Sequence, residues 1–433
     1  MPRYFSSEAA LRKLKSLFSL EYDLVRHAIG IVPQLPEYAV KCQLVRHLYE
    51  DWKRCRALRE RIQDFGIPHP DKQIDASRTN LVRHLLTAPD TVCFIGGFYR
   101  VVKREQIRAY REYAETTLRL NDAPSVEAIE DHLPALERQV AWGKTYLEAG
   151  RATVAQERAA EAFEDALRVH IRSLGGLCHE VLPEQSAGAE APQTYPDYAV
   201  PAEMQLEPAF QWRSANRMYD AILGAGLDKE EHPAHHSYTH FTELPIIDLC
   251  ATIVYDGRHL GFDYVSDFVR QTWDESRHSL MGFSRLEAMG INPYLVPIPV
   301  GHYQAYTAQP LLDRIAALTQ VGEACSFAPK KQWTEMAIAQ GDVLTALEHD
   351  FDVVDEKNHV KFGAKWMKAL IAKQNEARPF KEIVADAEWN VRQIMNDLQR
   401  EKGEKWEAEP GERFAGCQAS ESMLNLAPSI IIS

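Results

Sequence analysis

The pattern Glu-x-x-His occurs twice in the chain, as Glu275/His278 within "WDESRHSLMG" (273–282) and as Glu356/His359 within "VDEKNHVKFG" (354–363). Both stretches read Asp-Glu-x-x-His-x-x-x-Gly. A carboxylate and an imidazole three positions apart lie on one helix face about a turn apart, so each pair can address one point in space. A single glutamate precedes each pair at nearly the same distance: Glu243 lies 32 residues before Glu275, and Glu323 lies 33 before Glu356. The two halves are therefore one unit written twice, offset by 80 or 81 residues. Repetition at fixed spacing carries structural information that one copy lacks.

Convergence of Glu243, Glu275, Glu323, Glu356, His278 and His359 inside one helical bundle would assemble four carboxylates and two imidazoles, the ligand inventory of a di-iron or di-manganese carboxylate centre. The four negative charges balance two divalent cations; without metal they would repel and shift toward protonation. The same four glutamates are the candidate catalytic residues. A metal-bound imidazole usually donates its other N–H to a carboxylate, and Asp274 and Asp355, next to the ligand glutamates, are placed to accept it across the bundle. Gly282 and Gly363, one turn beyond each histidine, fit a close helix approach or room for a substrate. His232, His235, His236 and His240 crowd the stretch before Glu243. His240, one turn from that glutamate, is an additional candidate ligand or a capping residue. Asp352, one turn before Glu356, is a candidate ligand or proton relay, and His349 lies a turn farther off.

The elements that must position these residues read as helices. Apolar residues recur at three- and four-residue steps through 36–66, 105–120 and 125–176, while strand-like alternation is nearly absent. The short apolar run 91–102 is either extended or the start of a buried helix. Turn signals divide the later part into helices at about 233–255, 262–289, 310–327 and 342–373. Pro329 is expected to interrupt the third helix, with a short helix leading to Gly341. Pro245, two residues after Glu243, should kink or bulge the first. A long Pro-rich crossing between the second and third helices joins two hairpins, as in a ferritin-like bundle. The expected fold is all-α: a ferritin-like four-helix bundle over 205–376, a large additional helical domain over 1–179, a Pro/Ala/Gly-rich linker at 180–204, and a C-terminal helix and tail at 377–433.

The order Glu, Glu-x-x-His, Glu, Glu-x-x-His over roughly 235–372 resembles the ferritin-like di-iron carboxylate superfamily. Phrases such as "TWDESRHSLMGFSRLEAMGI" and "VVDEKNHVKFGAKWM" are also similar to a bacterial branch of it defined by a domain of unknown function. The resemblance implies two ligand sets, Glu243/Glu275/His278 and Glu323/Glu356/His359, with Glu275 and Glu356 bridging. Arg277 would support the outer hydrogen-bond network, and the second copy departs by carrying Asn358 where the first carries Arg277.

Composition bounds the function. A net charge of −13 argues against nucleic acid as a partner. The seven scattered cysteines fit a reducing cytoplasm. No apolar run spans a membrane and no secretory signal is evident. The expected activity is that of a di-metal oxidoreductase holding two iron ions, a manganese–iron pair or two manganese ions. It would use O2 as co-substrate, with an external electron donor, to hydroxylate, desaturate or oxidise a small organic substrate. A metal-handling protein (ferroxidase, iron store or sensor) and a helical interaction scaffold are the alternatives, and the first 200 residues could supply a lid, a homodimer surface or a second pocket.

Overall fold

Local sequence rules set most helix boundaries. The structure, a computed structural model, describes residues 4–150, 152–178, 193–210, 212–213, 233–296 and 298–401. Most of the expected linker (180–192 of 180–204), His232 and the tail beyond 401 lie outside the described residues. The described chain is all-α, apart from a parallel pairing of β1 (Trp212–Arg213) with β2 (Ile298–Pro299). Among the described residues no helix is long and apolar enough to cross a membrane.

The chain divides into two compact units, one of residues 1–31 with 46–199, the other of 32–45 with 200–433. The sequence had assigned all of 1–179 to one domain. Residues 32–45 instead group with the second unit, because Lys41 is ion-paired with Asp248 and the Tyr38 hydroxyl lies 3.1 Å from Ser279 Oγ.

The first unit holds α1 (Ser7–Ala28), most of α2 (Tyr38–Asp64), α3 (Ala76–Leu85), α4 (Thr91–Ile95), α5 (Arg104–Thr116), α6 (Ala123–Glu130), α7 (Leu133–Glu148) and α8 (Val154–Ser173). Ser6, Asp75, Asp90 and Thr153 cap α1, α3, α4 and α8 by accepting backbone N–H bonds, the usual role of these residues. The apolar run 91–102 is a buried helix, passing from α4 through a π-helical stretch, Gly96–Lys103, into α5. In this core Glu21 and Asp51 face Arg54, and Lys103 pairs with Asp51, all nearly inaccessible.

The second unit builds the bundle. Helices α9 (Pro233–Phe241) and α10 (Leu244–Asp256) together stand for the first expected helix. They are separated at Thr242–Glu243, where Pro245 in the first turn of α10 lacks the N–H a continuous helix would need. Next come α11 (Phe262–Ala288), α12 (Gly301–Thr307), α13 (Leu311–Ile315), a π-helical stretch Ala316–Gly322, α14 (Glu323–Ala339), α15 (Val343–Gln374) and α16 (Phe380–Glu401). Both α9 and α10 pack on α11, α14 packs on α15, and α11 meets α15. The expected break at Pro329 is absent, and α14 runs through it. Burial of Ala324 and Phe327 against Val360 supplies contacts that offset the lost backbone bond.

Candidate metal centre

The bundle brings the predicted ligands to one place. Glu243 sits at the N-terminal cap position of α10, Glu275 and His278 on α11, Glu323 at the first residue of α14, and Glu356 and His359 on α15. Glu275, Glu356, His278 and His359 are at most 1% exposed. His278 Nδ1 lies 3.1 Å from Glu243 Oε2, 3.8 Å from Glu275 Oε2 and 4.0 Å from Glu356 Oε1. His359 Nδ1 lies 3.1 Å from Glu356 Oε2, 3.2 Å from Glu275 Oε1 and 3.8 Å from Glu323 Oε1. Glu243 thus faces one imidazole and Glu323 the other, while Glu275 and Glu356 reach both.

The far ring nitrogens point across the bundle. His278 Nε2 is 3.4 Å from Asp355 Oδ2, and His359 Nε2 is 3.4 Å from Asp274 Oδ2. Each aspartate therefore orients the histidine of the opposite helix and turns Nδ1 inward. Arg277 bonds to both aspartates. Arg270, which sequence reasoning missed, does the same, with Nε 2.7 Å from Asp274 Oδ2 and Nη2 3.2 Å from Asp355 Oδ1. Two arginines from one helix hold both aspartates, so Asn358 is not needed there and bonds instead to the Val354 carbonyl at 3.3 Å.

Three further residues enter the site. Asp352 is fully buried, with Oδ1 3.3 Å from His278 Nδ1 and Oδ2 3.0 Å from His240 Nε2. Gln271 Nε2 donates to Glu323 Oε1 at 3.1 Å and to Glu275 Oε1 at 3.3 Å. Lys330, also missed from the sequence, places Nζ 2.5 Å from Asp352 Oδ2, 2.9 Å from Glu356 Oε1 and 3.8 Å from Glu243 Oε1. Its signal was its position seven residues after Glu323, on the same helix face two turns on. His240 does not reach the Glu243 set directly; it meets Asp352.

Protonation follows these contacts. Burial raises Glu243, and burial with the neighbouring Glu356 and Glu275 charges holds Glu323 well above the carboxylate range. Burial works in the same direction on Glu275 and Glu356, but the two imidazoles at Glu275, and Lys330 with His359 at Glu356, outweigh it and hold both well below that range. Asp352 is held at about 2, because Lys330 and His278 overcome its burial. Both imidazoles are held well above their ordinary value, burial being outweighed by Asp352 and Glu243 at His278 and by Asp274 and Glu275 at His359.

The residues fit a metal pair. His278 Nδ1, Glu243 Oε2 and Asp352 Oδ1 are buried together without a hydrogen bond of good geometry, although they converge. Such orphaned atoms are costly, and a cation among them would satisfy all three. The donor atoms group as Glu243/Glu275/His278/Glu356 and as Glu275/Glu323/His359, each within 4.8 Å. In the state that ligation requires, with both imidazoles neutral and every acid ionised, seven carboxylates (Glu243, Asp274, Glu275, Glu323, Asp352, Asp355, Glu356) against three fixed cations (Arg270, Arg277, Lys330) leave four negative charges, the complement of two divalent ions.

A family model described as "Protein of unknown function (DUF455)" matches residues 184–408, more than half of the chain and all six candidate ligands. The chain belongs to that family. No curated protein and no solved structure matches it. Within this DUF455 region lie all the helices that carry the centre, together with Lys330, Asp352 and both arginines.

Proposed function

We propose that this DUF455 chain is an oxidoreductase of ferritin-like type with a resident metal pair. The observation that carries the reading is the convergence of both Glu-x-x-His pairs and both single glutamates, with each imidazole held by the aspartate of the opposite helix. When bound, two iron ions, or a manganese–iron or di-manganese pair, supply the redox chemistry that activates O2 toward a small organic substrate, with electrons from an external donor.

The chain's own residues hold, orient and shuttle protons. Glu243, Glu275 and His278 would hold one ion, Glu323, Glu356 and His359 the other, with Glu275 and Glu356 shared. Burial excludes bulk water and strengthens every electrostatic contact inside. Lys330 keeps a proton-bearing cation at the edge of the site. While no cation occupies them, Asp352 and His240 continue from it toward Glu348, whose Oε2 is 3.9 Å from His240 Nδ1 and whose carboxyl is pushed up by burial to about 7, suited to passing protons near neutrality.

Lys330 also bears on the alternative of a ferroxidase or store. A fixed ammonium among the ligand carboxylates repels each entering cation, which works against the metal traffic a store requires. The test compares wild type with Glu275→Ala/Glu356→Ala, both supplied with iron and manganese. The variant should lose about two ions per chain, together with reductant-dependent oxygen uptake, while keeping its helical content. Equal metal in both proteins would make the doubled motif structural. Metal without oxygen uptake would turn the reading to metal handling.

A further inference from the structure

His349 is fully buried, and among the described residues neither ring nitrogen has a hydrogen-bond partner. Buried polar atoms are nearly always paired, because one left alone gives up its hydrogen bonds to water with nothing in return. This imidazole carries two such atoms. It sits one turn before Asp352 on α15, so both side chains lie on one helix face. Across from them, the last turn of α9 presents His240, whose ring centre is 4.6 Å from that of His349. His240 Nε2 touches Asp352 Oδ2 at 3.0 Å, while its Nδ1 is buried without a hydrogen bond. Ring contacts fix the His349 plane, with His236 edge-on at 5.3 Å and Trp333 at 5.5 Å.

We propose that His240, His349 and Asp352 form a third metal site, for a single borderline divalent ion such as zinc or ferrous iron. Their donor atoms lie within 4.8 Å of one another, within reach of one ion. Two imidazoles and one carboxylate suit these metals rather than calcium or magnesium, which take oxygen-rich sets. The ion would take one of the two orphaned His349 nitrogens.

Asp352 joins this site to the pair. Its Oδ2 faces His240 and its Oδ1 faces His278 Nδ1 at 3.3 Å, so one carboxylate touches both ligand groups. Lys330 Nζ lies 2.5 Å from the same Oδ2, on the side of Glu356. The third ion would therefore stand beside the pair and share a side chain with it. The site goes beyond the oxygen-activation reading and does not require it.

The test is metal stoichiometry on the full chain, stripped with chelator, loaded with cobalt(II) alone and passed through gel filtration. Wild type should retain three cobalt ions, His349→Leu two, and Glu275→Gln/Glu356→Gln one, the last with visible absorption of its own. Two ions in wild type, unchanged in His349→Leu, would overturn the proposal. If His349→Leu fails to fold, the double glutamine variant decides: one retained ion supports the third site and none overturns it. A wild type that retains only one ion, lost in His349→Leu and kept in the double glutamine variant, would sink the paired centre and leave this site standing.

Discussion

A buried ammonium must be compensated, and Lys330 has Asp352, Glu356 and Glu243 within 4 Å. Continuum reasoning makes such a network costly to assemble but costlier to break, because removing one partner strands the others. Lys330→Met should therefore destabilise the metal-stripped protein by about 3–5 kcal/mol, read as a shift in the urea midpoint. The same substitution should cost less after metal loading, since the ions then neutralise the stranded carboxylates. Equal losses in the two states would mean that Lys330 is a packing element, independent of the centre's charge.

At the scale of elements, close approach decides the geometry. A Cβ at Gly282 would overlap the Phe241 amide nitrogen and the Ser237 carbonyl of α9, and one at Gly363 would overlap Thr319 in the π-helical stretch. These glycines let α11 and α15 approach their neighbours, so room for a substrate is not what holds residue 282 or 363 small. The π-helical stretch lets Gln320 Nε2 reach the Val360 carbonyl on α15 at 2.9 Å, just before Glu323 enters the site. Gly282→Ala gains up to about 1 kcal/mol of helix propensity but forces backbone apart. The net result should be a loss of about 1–3 kcal/mol in thermal or urea unfolding, with weaker metal retention as α9 moves away. A stabilised Gly282→Ala protein would contradict this account of the contact.

For the molecule as a whole, the two units treat buried charge differently. In the first, Glu21 and Asp51 are answered by Arg54 and Lys103, so that core is neutral without any ion. In the second, three fixed cations face seven carboxylates, and without metal most of the difference is met by protons on His278, His359 and Glu323. The first unit has another sensitivity, to acid. Burial pushes His84 down to about 4, with His170 adding to it, and burial pushes His47 down to about 3. The Tyr99 hydroxyl lies 2.7 Å from His47 Nδ1, a contact suited to a neutral ring. An unfolded chain takes up these protons near 6.5, the folded unit only near 3–4, so stability falls as pH drops through that window and levels off below it. Between pH 7.5 and 5 the urea midpoint of wild type should fall relative to that of His84→Phe, which keeps a ring against Tyr195, because the raised imidazoles of His278 and His359 are common to both. Equal shifts in the two proteins would remove His84 from the explanation.

The sequence by itself determined the all-α class, the ends of α11 and α15, the break near Pro245 and the six candidate ligands with their two aspartates. Those follow from helix periodicity, capping chemistry and the fixed spacing of a repeated motif, all local quantities. Only the tertiary structure decided the rest. Pro329 stays helical because packing against α15 outweighs one lost backbone bond, a balance invisible along the chain. Arg54 turns inward because Glu21 and Asp51 meet it there. Lys330, Arg270 and Gln271 carry no motif, and their roles arise when α11, α14 and α15 bring distant charges together. His349 and His240, 109 positions apart in the chain, become neighbours for the same reason: a donor's partner is set by which helix faces it, and sequence spacing fixes only which face of its own helix it occupies.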